Sequence, residues 1–121
     1  MKILIVDDNK NWVFIVRMML EEEGFEVQSA PDGETGYSIY LSFKADLIIT
    51  DIQMPKMNGI ELISMIREHD RKVKAIYMSS EFNGFLSLIE KEKGKYEVDL
   101  LKKPFSKEEL LRLISKFQVR S

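Results

Sequence analysis

Polar residues with chemical potential stand directly after short apolar runs in this chain. Asp7 and Asp8 follow Ile3-Leu4-Ile5-Val6, Asp51 follows Leu47-Ile48-Ile49, Ser79 and Ser80 follow the run ending at Met78, and Lys102-Lys103-Pro104 follows Leu100-Leu101. Three carboxylates brought together repel one another by roughly 4 kcal/mol per pair at ~4 Å and an effective dielectric of ~20, so they call for a cation. Oxygen-only ligands suit Mg²⁺, which keeps several waters and takes one or two carboxylates together with phosphate oxygens. A lysine and a small hydroxyl beside such a metal supply a positive point charge and a hydrogen-bond donor, the needs of a phosphoryl group. Asp51 stands alone whereas Asp7 and Asp8 form a pair, which makes Asp51 the candidate nucleophile for an acyl phosphate. Taken singly each feature has a plainer explanation: paired aspartates often cap helices, serines donate within loops and paired lysines are commonly solvated.

The elements needed to gather these groups are legible in the pattern. Five apolar runs, Ile3–Val6, Phe25–Val27, Leu47–Ile49, Val73–Met78 and Val98–Leu101, alternate with segments whose apolar residues recur at helical spacing. Those segments carry Trp12, Ile15, Val16, Met19 and Leu20; Tyr37, Tyr40 and Leu41; Ile60, Leu62, Ile63 and Ile66; Phe82, Phe85, Leu86 and Ile89; and Leu110, Leu111, Leu113, Ile114 and Phe117. Gly24 suits the end of the first helix, Asp32 or Gly33 the start of the second, and Ser106 with Glu109 a capping box for the last. Strand and helix alternating five times imply right-handed crossovers and a doubly wound α/β fold: a five-stranded parallel sheet covered on both faces. In such a sheet the crevice lies beyond the carboxyl ends of the strands, where all of these polar residues would converge.

Bulk properties narrow the function classes. At 121 residues the chain fits one domain, expected over 1–121 without an output domain, and 45% apolar with 31% charged residues argues against disorder. The absence of cysteine removes disulfides and thiolate metal sites, and one histidine makes a zinc site a poor reading. No apolar run approaches the ~18 residues of a membrane span, and MKILIVDDN lacks a signal-peptide core, so a cytoplasmic protein with no membrane association is expected. Net charge is −2, and the basic residues concentrate in the second half too mildly for nucleic-acid binding to be expected. The run KEKGKYE at residues 91–97 reads as a solvated bend, His69 as an exposed helix-end residue, Trp12 as packing on the sheet, and Met18, Met19, Met65 and Met78 as core gap-fillers.

With these motifs in place, ILIVDDN, DLIITDIQMPKMNG, AIYMSS and LLKKPFS, the whole chain strongly resembles the receiver domain of two-component response regulators. The resemblance implies a flavodoxin-like (βα)5 fold with strand order 2-1-3-4-5. It implies that Asp51 accepts a phosphoryl group from a sensor histidine kinase or histidine phosphotransfer protein. Asp7, Asp8 and Asp51 would hold Mg²⁺ with the backbone carbonyl of Gln53, while Ser79 and Lys103 would engage the phosphoryl oxygens. It also implies a cis peptide before Pro104, although an X-Pro bond taken alone is far more often trans. On this view the protein is a switch that binds a downstream effector, and no enzyme beyond promoting its own phosphotransfer and autodephosphorylation.

Three positions depart from the family pattern. Leu100 occupies the place of an aromatic switch residue, Ser80 stands where Ala or Gly is common, and the interval from Ser79 to Lys103 is about two residues longer than the family pattern, with the extra length near Glu92-Lys93-Gly94-Lys95. Two other functions compete: a pseudo-receiver that binds partners without phosphorylation, and a Mg²⁺-dependent phosphatase-like enzyme. The second lacks a general acid two residues beyond Asp51, where Gln53 sits.

Overall fold

A computed structural model describes residues 1–118. Five strands, β1 (Lys2–Val6), β2 (Glu26–Ala30), β3 (Leu47–Asp51), β4 (Lys74–Ser79) and β5 (Val98–Lys102), alternate with five helices. The helices are α1 (Lys10–Glu21), α2 (Gly33–Phe43), α3 (Gly59–Arg67), α4 (Leu86–Lys93) and α5 (Lys107–Gln118). All strand pairs are parallel and the order is β2-β1-β3-β4-β5. The order implied by the motifs is therefore the one observed.

Period two along the strands divides the core into two layers. Leu4, Val6, Ile48, Ala75, Tyr77 and Val98 face α2, α3 and α4, whose Tyr40, Leu62, Ile66 and Ile89 cover them. Ile3, Ile5, Ile49, Ile76, Met78 and Leu101 face α1 and α5, covered by Val16, Leu20, Leu110, Ile114 and Phe117. Strands β1 and β3 lie inside the sheet and are buried on both faces, which is why they read as unbroken apolar runs.

Local chemistry sets the boundaries. Asn9 caps α1 by accepting the Trp12 N–H, Asp32 caps α2 by accepting that of Thr35, and Asn58 with Glu61 forms a reciprocal capping box at α3. The capping box expected at α5 is present: Ser106 N–H donates to Glu109 at 3.0 Å and Glu109 N–H to Ser106 Oγ at 3.1 Å. Gly24 holds φ at +88°, as its place after α1 required.

Several expectations from periodicity are corrected. Ile15, Met18, Leu41 and Leu86 are 44–47% exposed rather than in the core, because each lies on the outer side of a helix whose sheet-facing stripe is narrower than its apolar content. The charged run 91–97 is not simply a solvated bend. Helix α4 continues to Lys93, and Glu92, three residues after the buried Ile89, lies on the inner face of that helix. The chain then turns tightly, with the amides of Lys95 and Tyr96 both donating to the Glu92 carbonyl, at 2.9 and 2.7 Å.

Candidate phosphoryl-acceptor site

Parallel pairing in register sets Val6, Ala30, Asp51, Ser79 and Lys102 near one edge of the sheet, and the groups singled out in the sequence emerge there. Carboxylate oxygens of Asp7, Asp8 and Asp51 lie within 4.8 Å of one another. Asp7 is buried, Asp51 half-buried and Asp8 exposed, so the cluster has a closed floor and an open mouth. Helix capping does not account for the Asp7-Asp8 pair, because Asn9 is the cap; Asp7 Oδ1 instead accepts the Asn9 N–H at 3.0 Å.

Lys103 reaches this cluster from beyond β5. Its Nζ is 2.6 Å from Asp7 Oδ2 and 3.6 Å from Asp51 Oδ2. The peptide between Lys103 and Pro104 is cis, as the resemblance implied and against the general preference for trans. One wall of the site is aromatic: the Lys103 ammonium lies 5.9 Å from the Trp12 ring centroid, and Trp12 meets Phe105 edge-on at 4.8 Å while its indole N–H donates to Met78 sulfur at 3.4 Å.

Burial pushes the Asp51 carboxyl above the ordinary carboxylate range; the Lys103 charge opposes this shift and the Asp7 charge adds to it. Asp51 is thus a desolvated carboxylate poorly compensated by one ammonium among three acids. Such a site favours a second cation, and its all-oxygen donor set fits Mg²⁺ better than a softer metal.

Ser79 is buried at the end of β4, but its hydroxyl is engaged within its own loop. It donates to the Glu81 carbonyl at 2.6 Å and accepts the Glu81 N–H at 3.1 Å. Gln53 is exposed two residues beyond Asp51. Ser80 is exposed, and Leu100 is partly buried against the α2–α4 layer.

The loop from Asp51 to α3 is held by a close backbone contact. Gly59 N–H donates to the Ile52 carbonyl at 2.8 Å, and a Cβ at Gly59 would lie 2.3 Å from the Asp51 carbonyl oxygen. Glycine at the end of the MPKMNG turn is thereby explained by space rather than by a special φ. Lys56, with φ of +69°, takes the left-handed turn inside the same loop.

Sequence reasoning missed a second polar cluster behind the site. On the layer facing α3 and α4, the buried Tyr77 hydroxyl donates to both carboxylate oxygens of Glu92 at 2.9 Å, and Arg67 from the end of α3 pairs with the same carboxylate. The Arg67 guanidinium stacks on Tyr96 with its carbon 3.8 Å from the ring centroid. The one available signal was Glu92 following Ile89 by three, which places an acid on an inward helical face.

A strand order of 2-1-3-4-5 with an acid triad, a hydroxyl and a lysine at its carboxyl edge defines a receiver-type signalling fold. The model of the response regulator receiver domain matches residues 3–115, and the chain belongs to that family. It is 37% identical over 122 aligned residues to the transcriptional regulatory protein CpxR of Escherichia coli, covering 99% of this chain and 50% of that protein. The chain spans about half the length of the curated relatives it matches. Among solved structures, the chemotaxis protein CheY4 of Vibrio cholerae superposes with a TM-score of 0.85 at 27% identity, covering 95% of this chain and 96% of that one. The response regulator TrrA of Thermotoga maritima, solved in complex with Mg(2+)-BeF, matches with a TM-score of 0.80 at 30% identity, covering 95% and 96%. Among the described residues no helix is long and apolar enough to cross a membrane.

Proposed function

We propose that this receiver domain is a phosphorylation-dependent switch in which Asp51 accepts a phosphoryl group from the phosphohistidine of a sensor histidine kinase or phosphotransfer protein. The observation that carries this reading is the convergence of Asp7, Asp8 and Asp51 within 4.8 Å with Lys103 between two of them. An Asp51 carboxylate oxygen attacks phosphorus as the P–N bond of the donor breaks, leaving an acyl phosphate and a neutral imidazole after proton uptake. Asp7, Asp8, Asp51 and the Gln53 carbonyl would hold Mg²⁺, which supplies charge neutralisation for the incoming phosphoryl oxygens. The ammonium of Lys103, freed from Asp7 as charge builds on the acceptor, pairs with a phosphoryl oxygen. The Ser79 hydroxyl, turned from the Glu81 carbonyl, donates to another. Its chemistry is confined to its own phosphotransfer and autodephosphorylation, and its output is a changed surface read by a downstream protein.

Incubation with acetyl phosphate, with and without Mg²⁺, followed by intact-mass measurement, tests the proposal. A single labile adduct that requires Mg²⁺ and is absent in Asp51→Asn is expected. No adduct at any Mg²⁺ concentration would sink the reading in favour of an unphosphorylated interaction module, and sustained turnover of phosphomonoesters would favour a phosphatase.

A further inference from the structure

Leu100 stands where the family pattern has an aromatic switch residue, and it has no ring to exchange between buried and exposed positions. Its register partner on β4 is Tyr77, fully buried, on the same face of the sheet and two residues before Ser79. We infer that Tyr77, Glu92 and Arg67 form a latch that holds α4 in the unphosphorylated state and opens when Asp51 is phosphorylated, doing the reporting that Leu100 cannot. This inference rests on the phosphoryl-switch reading and adds to it the residues that carry the signal.

Helix α4 is weakly held apart from this cluster. It has eight residues, no side-chain cap at Phe85 and a single buried residue, Ile89. Two polar tethers flank it, one in the loop before it and one at its C-terminal turn, where Lys93 also pairs with Asp99 of β5 at 3.6 Å. At the N-terminal side, Ser79 holds the loop through Glu81; at the C-terminal side, Tyr77 and Arg67 hold Glu92. A serine hydroxyl has one proton, so a phosphoryl oxygen that takes it breaks the bond to the Glu81 carbonyl and loosens the first tether, leaving the buried Glu92 cluster to decide whether α4 stays.

The second tether is built for exchange more than for strength. Arg67 is 8% exposed, and its Nε and Nη2 are buried without a hydrogen-bond partner. A guanidinium offers five donors and is normally paired by two at a time with a carboxylate, whereas here the Glu92 carboxylate is shared with Tyr77. Buried charge pairs seldom add net stability, and their best attested use is to specify one arrangement over another. Moving Glu92 outward with α4 would let Arg67 satisfy its idle donors in the open groove that Arg67, Glu92, Lys95 and Tyr96 line between α3 and α4. Burial and the Glu92 carboxylate together push the Tyr77 hydroxyl far above its ordinary range, so it remains a donor throughout the working range of pH.

Reciprocity supplies the test: if phosphorylation opens the latch, then breaking the latch must favour the phosphorylated form. Beryllofluoride affinity in the presence of Mg²⁺ is to be measured by titration for the wild-type chain, Tyr77→Phe and Glu92→Gln, with thermal melting to establish that each is folded. Both variants are expected to bind about fivefold more tightly or better, the low end of ordinary allosteric coupling. Unchanged or weaker affinity in the folded variants overturns the latch while leaving the acceptor site intact; if Tyr77→Phe does not fold, Glu92→Gln decides. Absence of beryllofluoride binding by the wild-type chain is a different result, which removes the switch reading and the latch with it.

Discussion

Lys103 Nζ lies 2.6 Å from Asp7 Oδ2, although the two residues are 96 positions apart in the chain. Asp7 is almost fully buried at this contact, so the ammonium, beside its proposed role toward a phosphoryl oxygen, is the nearest counter-charge of an otherwise expensive acid. Replacement by Lys103→Ala leaves that acid uncompensated and is expected to cost about 3 kcal/mol in metal-free buffer. Urea unfolding with and without Mg²⁺ checks this, since a bound cation should return part of the loss. Equal losses in both buffers would mean that the carboxylates do not hold the metal.

The shift at Asp51 has a sign that can be measured. Its folded-state pKa is raised, chiefly by burial, so the folded protein binds this proton more tightly than the unfolded chain. The favourable contribution is fully present below the ordinary carboxylate value of 3.8 and is lost as pH rises through the folded value. Asp51→Asn, which cannot ionise, is therefore expected to melt a few degrees above wild type at neutral pH in chelator, with the gap closing toward pH 3 and narrowing when Mg²⁺ is added. A variant no more stable than wild type at pH 7 without metal contradicts the desolvated-carboxylate account.

Gly59→Ala places a methyl group where only 2.3 Å separates the new Cβ from the Asp51 carbonyl oxygen. The loop must move, at a cost of about 1–3 kcal/mol, and the acceptor moves with it. Denaturation midpoints should fall, and the initial rate of adduct formation with acetyl phosphate should drop more than tenfold, because small misplacements at a reacting atom are costly. Asn58→Ala provides the contrast: it breaks only the α3 capping box, costing about 1 kcal/mol with little change in that rate.

Ser79→Ala separates loading from reporting. The hydroxyl contributes to holding the Glu81 loop, not to the acid cluster, so the adduct should still form with Mg²⁺. Amide spectra recorded with and without beryllofluoride should then show shifts around Asp51 but diminished shifts in α4. Full retention of the α4 response would show that the signal leaves the site by another route.

The sheet was readable because β1 and β3 are buried on both faces and leave continuous apolar runs, and because each run ends in a residue type that has no business in a core. The acid, hydroxyl and lysine set was readable for the same reason. Strand order was not derivable from periodicity and came only with the motif resemblance. The Tyr77–Glu92–Arg67 cluster was hidden for physical reasons. Tyr77 sits in a strand as an ordinary β-forming aromatic, and Glu92 is camouflaged within a charged run. Arg67 ends a helix where a basic residue is favoured on dipole grounds alone. Only the packing of α3 and α4 against β4 brings the three together.

Trp12 is the one tryptophan in the chain, and it stands against Lys103 with its indole N–H on the Met78 sulfur. The molecule thus carries its own optical probe beside Lys103, adjoining a polarisable thioether and an ammonium that the proposed switch would move. Emission from that single fluorophore can be followed in real time as metal or phosphodonor is mixed in, without a label and without a partner protein.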